Sequence, residues 1–289
     1  MVKLIATDMD GTLLNAAHEV SEENVKAIQY AQEQGITVVI ATGRAFYEAN
    51  DPIQPTGLKV PYICLNGAEV RDEYFDIVHT SNLNHGLYQR IRDILAEENI
   101  FYQVYTNLGI YTEDPERDLA IYLDIAKQAG QTPNVEKIRE HIQHRIDVGS
   151  LKVVDNYDQV EDIPGELIMK VLAHDVDLEK VNRAKARLEK SGNLAVSSSA
   201  RGNIEITHID AQKGLAVRTI ADQLGIDMKD VMAVGDNLND KSMLEVVGYP
   251  IAMENALPEL KDIASYITDT NEQSGVAKAI YHVIEKSKK

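Results

Sequence analysis

Val2-Lys3-Leu4-Ile5-Ala6-Thr7-Asp8-Met9-Asp10-Gly11-Thr12 is an apolar run that stops at two carboxylates. An uninterrupted run of branched and small apolar residues reads as a strand buried on both faces, the signature of a parallel sheet. In open α/β sheets the chemistry lies just beyond the carboxyl ends of the strands, which is where this reading puts Asp8 and Asp10. Two carboxylates this close repel, and both stay ionised only with help. A hard cation such as Mg²⁺ takes oxygen ligands and supplies that help. A carboxylate held by a metal remains an anion able to act as a nucleophile, while its neighbour can be tuned to carry a proton. Gly11 lets the chain turn sharply, and the Thr12 hydroxyl is placed to orient the second carboxylate. An ordinary solvated Asp-Gly turn after a strand satisfies the same residues, so the rest of the chain decides.

Downstream, Ser21-Glu22-Glu23 opens a helix with a good N-cap and an acidic first turn, and Gly35 stops it. A second buried strand, 36–41, runs into Thr42-Gly43-Arg44, and a third, 60–65, runs into Asn66-Gly67-Ala68. Strand and helix alternating in this way predict a parallel sheet with right-handed crossovers. From about Asn82 the texture changes. A helix over 83–98 precedes an alternating pair of strands at 101–105 and 109–112. A helix over 119–129, a strand over 166–173 and a helix over 178–190 follow. A hairpin then turns at Arg201-Gly202 between strands at 194–199 and 203–207. Residues 131–165 show no clear period. This is α+β patterning, and it predicts a second domain inserted into the first: core 1–81, insertion 82–208, core again 209–289. In the last part Lys213-Gly214 opens an apolar helix, and Val231-Met232-Ala233-Val234 is a strand running into Gly235-Asp236-Asn237-Leu238-Asn239-Asp240. Short strands near Ile251 and Ile267 and a helix over 275–284 complete the pattern. Lys286, Lys288 and Lys289 read as a solvated basic tail.

Composition narrows the function classes. The 289 residues are 44% hydrophobic and 26% charged, which predicts a packed core. The formal net charge of -17 argues against nucleic acid or an anionic membrane as a partner, so attraction to an anionic substrate has to be local. Cys64 is the single cysteine, which rules out an intrachain disulfide. It lies in an apolar run, as a small buried side chain would. No apolar run approaches the ~18 residues of a membrane span. The sequence goes straight into a strand with no basic stretch leading an apolar segment, so a cytoplasmic location is expected.

Four strands thus end in small or polar residues: Asp8/Asp10/Thr12, Thr42/Gly43/Arg44, Asn66/Gly67 and Asp236/Asn239/Asp240, with Lys213 opening a helix just before the last. In a parallel sheet all four lie along one edge. Carboxylates for one divalent cation, a hydroxyl, an ammonium and an amide are what phosphoryl transfer requires. Each group has a bland reading of its own. Thr42-Gly43 is a common N-cap, Asn66-Gly67 a common turn and Lys213 a surface lysine, and the Asp236–Asp240 stretch lacks the ligand spacing of an EF-hand. It is their conjunction that is improbable by chance.

These motifs, in order along the whole chain, resemble the haloacid dehalogenase (HAD) superfamily and most closely its Cof-type sugar-phosphatase branch; Ser274-Gly275-Val276 also fits that branch. The resemblance implies a Rossmann-like parallel-sheet core carrying an inserted α+β cap of the C2 kind. It further implies a hydrolase acting on small phosphate esters, sugar phosphates among them. Asp8 would be the nucleophile that becomes an aspartyl-phosphate, Asp10 the general acid and base, and Thr12 the group holding Asp10. Mg²⁺ would sit on the Asp8 carboxylate, the Asp10 main-chain carbonyl and Asp236. Thr42, the Met9 and Gly43 main chain, Lys213 and Asn239 would grip the phosphoryl group, with Asp240 steadying Lys213. The resemblance leaves the role of Arg44 open, a structural residue at a helix start being one reading. A dehalogenase does not need Asp10, and a P-type ATPase has lysine where this chain has Met9. A phosphomutase, or a phosphosugar-binding protein without turnover, remains the alternative on the same scaffold. The resemblance assigns no substrate-contacting cap residue and no oligomeric state.

Overall fold

The computed structural model describes residues 1–128, 132–198 and 201–286. Ala129, Gln131, Ser199, Lys288 and Lys289, which bound the 119–129 helix, the unpatterned stretch, the first hairpin strand and the basic tail expected above, lie outside the described residues. The chain divides into two compact units, Met1–Thr80 with Asp210–Lys289, and Ser81–Ile209.

The first unit is built on an eight-stranded sheet. Its order is Tyr266–Ile267, Tyr249–Ala252, Val231–Gly235, Leu4–Thr7, Thr37–Ala41, Tyr62–Cys64, Glu69–Arg71, Ile77–Thr80. The first six strands are parallel, as expected for an α/β core, and Leu4 is in register with Val231 on one side and Thr37 on the other. Leu4–Thr7 is therefore central and wholly buried, which is why it carries no polar side chain before Thr7. The strands leading to Asp8, Thr42 and Asp236 are immediate neighbours, so their ends converge. Helix Glu22–Glu33 packs on helix Gly275–Lys286. Ser21 caps the former by accepting from the Asn24 N–H. Asn24 itself is buried; its amide donates to the Leu13 carbonyl and accepts from the Ala277 N–H, tying the turn after the first strand to the terminal helix. Glu69–Arg71 and Ile77–Thr80 run antiparallel at the sheet edge. No alternating pattern announces them, because Ile77 and Val78 are both exposed and the turn between the strands is held by the Asp72 carboxylate, which accepts from Tyr74 and Asp76 N–H.

The second unit contains a six-stranded sheet in the order Leu194–Ser197, Asn203–His208, Ile168–His174, Phe101–Thr106, Ile110–Thr112, Leu151–Val153. All its pairings are antiparallel except the last. Helices His85–Glu97 and Leu178–Glu189, capped by Asn84 and Asp177, contribute Leu87, Ile91, Val181 and Leu188 to a core shared with Val104, Val171 and Ile204 of the sheet. Helix Pro115–Gln128 starts ahead of the expected residue 119, because Asp114 accepts from the Glu116 N–H. The stretch without a period resolves into helix Val135–Asp147, strand Leu151–Val153 and a turn of helix, Asp158–Glu161. Helix Val135–Asp147 buries only Ile142 and Arg145, so although Val135, Ile138, Ile142 and Ile146 recur at helical spacing, little of that stripe is covered by a core.

Asp118 is buried in this unit, with one carboxylate oxygen accepting from Gln103 at 2.8 Å and the other without a hydrogen-bond partner among the described residues. Burial pushes it up to about 6, against the hydrogen bonds from Thr112 and Gln103. An acid raised on folding binds its proton more tightly in the native state, so stability falls as pH rises from about 4 to 6 and the penalty is fully present above that. Asp118→Asn removes it. The variant is expected to match the parent near pH 4 and to exceed it by about 1–3 kcal/mol at pH 8, measured by urea unfolding at the two pH values.

Candidate active site

Asp8 leaves the central strand with its N–H donating to the Val234 carbonyl at 3.0 Å, so the sheet ladder fixes its backbone. Lys213 is the first residue of helix Lys213–Gln223 and is completely buried. Its Nζ donates to Asp8 Oδ1 and to Asp240 Oδ1, both at 2.6 Å. The other oxygen of Asp240 accepts from the Asp236 and Asn237 N–H groups at 3.0 and 3.1 Å. Both Asp240 oxygens are thereby engaged in fixing Lys213 and the turn that presents Asp236. Two glycines make this approach possible. A Cβ on Gly214 would lie 2.1 Å from the Ser242 carbonyl oxygen, and one on Gly235 2.5 Å from Asp240 Cβ.

The turn after Asp8 departs from the expected arrangement in one respect. The Thr12 hydroxyl donates to Asp236 Oδ1 at 2.9 Å, not to Asp10. Gly11 reverses the chain at φ +75, and a Cβ there would meet Asp236 Oδ2 at 2.5 Å. The buried Thr12 and the half-exposed Asp10 therefore leave the turn on different sides. Asp10 is held instead by Arg44, whose Nε donates to Oδ2 at 2.8 Å and Nη2 to Oδ1 at 2.5 Å. This forked pair is the strong geometry for a guanidinium and a carboxylate. Arg44 also has a structural part, because its N–H donates to Thr42 Oγ1 and its carbonyl accepts from the Leu65 N–H. The side-chain role had no local signal, since it depends on Asp10 lying 34 residues away.

Thr42 is buried, its N–H donating to the Ile63 carbonyl and its own carbonyl accepting from the Asn66 N–H. Asn66, at φ +58 and buried, accepts from the Asn239 side-chain amide at 3.5 Å. Asn66 thus links the two expected phosphate-binding residues Thr42 and Asn239, a part that a common Asn-Gly dipeptide does not reveal. Met9 is fully buried and Gly43 lies between Thr42 and Arg44.

Carboxylate oxygens of Asp8, Asp236 and Asp240 lie within 4.8 Å of one another. Burial, reinforced by the Asp240 charge, holds Asp8 well above the usual carboxylate range, although Lys213 pulls the other way. Burial and Asp240 likewise push Asp236 up to about 7, against the hydrogen bond from Thr12. Burial alone would lower Lys213, but Asp240 and Asp8 beside it carry it above the ordinary lysine value. Three acids around one ammonium, Asp8 and Asp240 buried and Asp236 partly so, outnumber the positive charge, and every donor is a hard oxygen. That set fits a divalent cation of the oxygen-seeking kind. Cys64 takes no part: burial pushes its thiol well above the usual range.

Among the described residues no helix is long and apolar enough to cross a membrane. Residues 5–280 match the haloacid dehalogenase-like hydrolase family. Phosphatase YwpJ of Bacillus subtilis (strain 168) is 34% identical over 285 residues, covering 98% of this chain and 100% of its own. A second protein of that organism, 5-amino-6-(5-phospho-D-ribitylamino)uracil phosphatase YwtE, is 35% identical over 277 residues, 96% of each chain. The solved structure of a haloacid dehalogenase-like hydrolase from B. subtilis superposes with a TM-score of 0.88 at 34% identity, covering 98% of this chain and 100% of the other. With the parallel sheet, the buried Asp8–Lys213–Asp240 chain and this likeness along nearly its whole length, the chain belongs to the haloacid dehalogenase-like hydrolases.

Proposed function

We propose that the protein is a Mg²⁺-dependent phosphatase of small phosphorylated metabolites, sugar and polyol phosphates in particular, working in the cytoplasm through an aspartyl-phosphate on Asp8. The observation that carries this reading is the buried Lys213 joining Asp8 to Asp240 beside Asp236. The relatives support the class, since YwpJ is named a phosphatase and YwtE a phosphatase of a phosphorylated ribityl compound.

The Asp8 carboxylate would attack phosphorus in line, forming a bond from its oxygen to phosphorus as the bond to the ester oxygen breaks. Asp10 would give a proton to the departing alkoxide and then take one from the water that hydrolyses the aspartyl-phosphate. Arg44 holds the Asp10 carboxylate, and Thr12 orients Asp236. Lys213, Thr42, Asn239 and the main chain of Met9 and Gly43 would bind the phosphoryl oxygens, with Asp240 fixing Lys213. The Asp8 carboxylate, the Asp10 main-chain carbonyl and Asp236 would hold Mg²⁺, which when bound offsets the negative charge of the site and of the phosphate. The 81–209 unit would act as a cap of the C2 kind, excluding water and selecting the leaving group.

Inorganic phosphate released from p-nitrophenyl phosphate and from a panel of hexose and pentose phosphates tests this. Release is expected with Mg²⁺, to fall to background with EDTA and to return when Mg²⁺ is restored in excess. Absence of phosphate release from every ester overturns the reading, and isomerised sugar phosphate in its place identifies a mutase.

A further inference from the structure

The five residues Asn15–Glu19 form an exposed loop that is bonded more heavily than its exposure requires. Asn15 Oδ1 accepts from the N–H groups of Ala17 and Glu19, each at 3.0 Å. The Asn15 N–H donates to the Glu19 carbonyl, the His18 N–H donates to the Asn15 carbonyl, and the Ala16 N–H donates to Glu272 Oε1 at 2.7 Å. These bonds hold His18 at φ +58, a left-handed conformation that costs a residue with a Cβ about 1–2 kcal/mol. Asparagine or glycine would occupy that position at lower cost. The imidazole presented by this loop is 73% exposed, and its Nδ1 lies 3.4 Å from Arg44 Nη2 and 3.9 Å from Asp10 Oδ1. Conformational strain in a fixed exposed loop is a reason to ask what the side chain contacts.

Resting on the phosphatase reading above, we propose that His18 is a specificity-determining residue that contacts the leaving group of the ester. Asp10 delivers its proton to the ester oxygen, so the carbon bearing that oxygen, and the hydroxyl next to it, come to lie around the Asp10 carboxylate. Beside that carboxylate, Arg44 is taken up by Asp10 itself, by the Glu48 carbonyl and by His18 Nδ1, which accepts from its Nη2. The His18 ring faces mostly solvent, it lies 3.9 Å from the carboxylate that would serve the ester oxygen, and its Nε2 takes no part in the contact with Arg44. It therefore suits a hydroxylated leaving group, a sugar or polyol, hydrogen-bonding the hydroxyl adjacent to the phosphate. A ring that only shielded the Asp10–Arg44 pair would treat all esters alike, and the test exploits that difference.

Wild type, His18→Ala and His18→Asn are compared in saturating Mg²⁺ on the sugar phosphate that wild type hydrolyses best, on p-nitrophenyl phosphate and on acetyl phosphate. The last two have no hydroxyl beside the phosphate. For His18→Ala the KM for the sugar phosphate is expected to rise about tenfold, the loss of one hydrogen bond, with kcat within about twofold. Both values for the hydroxyl-free esters should stay within about twofold of wild type. His18→Asn, which tolerates the left-handed backbone and keeps a hydrogen-bonding side chain, should recover part of the loss. A uniform fall on all three esters, or no change on any, overturns the role of His18 and leaves the phosphatase reading standing. A wild type inert on all three overturns that reading and this one with it.

Discussion

Asp8→Asn is expected to give a folded protein whose phosphate release, on any ester the parent hydrolyses, falls by at least about 10³-fold. The amide has nearly the shape of the carboxylate but no charge with which to attack phosphorus. The ladder bond from the residue 8 N–H to the Val234 carbonyl does not involve the side chain and survives. Energetically the substitution pulls both ways. It removes a carboxylate whose ionisation burial already opposes, and it takes one of two carboxylate partners from Lys213, which keeps Asp240. The melting temperature is therefore expected to stay within a few degrees of the parent, so the loss of turnover cannot be ascribed to unfolding. Acid quenching of the parent during turnover, followed by peptide mass analysis, should place a phosphoryl group on the peptide containing Asp8 and none in the variant. A variant that retains full activity would rule out the aspartyl-phosphate route.

How far these residues could be read without coordinates depended on whether each signal was local. The sheet core was legible because a strand buried on both faces must be apolar throughout. Leu4–Thr7, Thr37–Ala41 and Val231–Gly235 are apolar apart from the terminal threonines Thr7 and Thr37, and each stops where its chemistry starts. The same holds for capped amphipathic helices such as His85–Glu97 and Leu178–Glu189. Legibility failed where stabilisation comes from partners distant in sequence or from polar bonds. The edge hairpin depends on the Asp72 turn, and helix Val135–Asp147 buries a single aliphatic residue, Ile142, beside Arg145. At the site, the residues present could be read, but their pairings could not. Thr12 faces Asp236 and not Asp10, Arg44 has a second task on Asp10, and Asn66 bridges Thr42 to Asn239. Each pairing is decided by a backbone angle, at Gly11 or Asn66, or by a neighbouring strand, and neither is encoded in the spacing of the residues concerned.

Lys213→Met should damage the fold as well as the reaction, and the pH dependence of that damage separates its causes. Methionine fills nearly the same length with no charge, so packing in the completely buried position is largely kept. What is lost is the ammonium that donates to both Asp8 and Asp240. Removing one partner of a buried ionic group leaves an uncompensated charge and costs about 3–5 kcal/mol. Urea unfolding at pH 7.5 should report a loss of that size, together with phosphate release near background. The sign of its pH dependence follows from the acids left behind. Without the ammonium, Asp8 moves further above the usual range, so the folded variant holds protons that the unfolded chain has released. Stability of the variant relative to the parent should therefore recover as pH falls towards about 5, where the stranded carboxylates become neutral. Adding Asp240→Asn to Lys213→Met should likewise restore part of the loss, a non-additivity expected of groups in direct contact. If Lys213→Met instead loses the same stability at pH 5 and pH 7.5, the damage is one of packing. The electrostatic chain from Asp8 through Lys213 to Asp240 would then not be what holds the nucleophile in place.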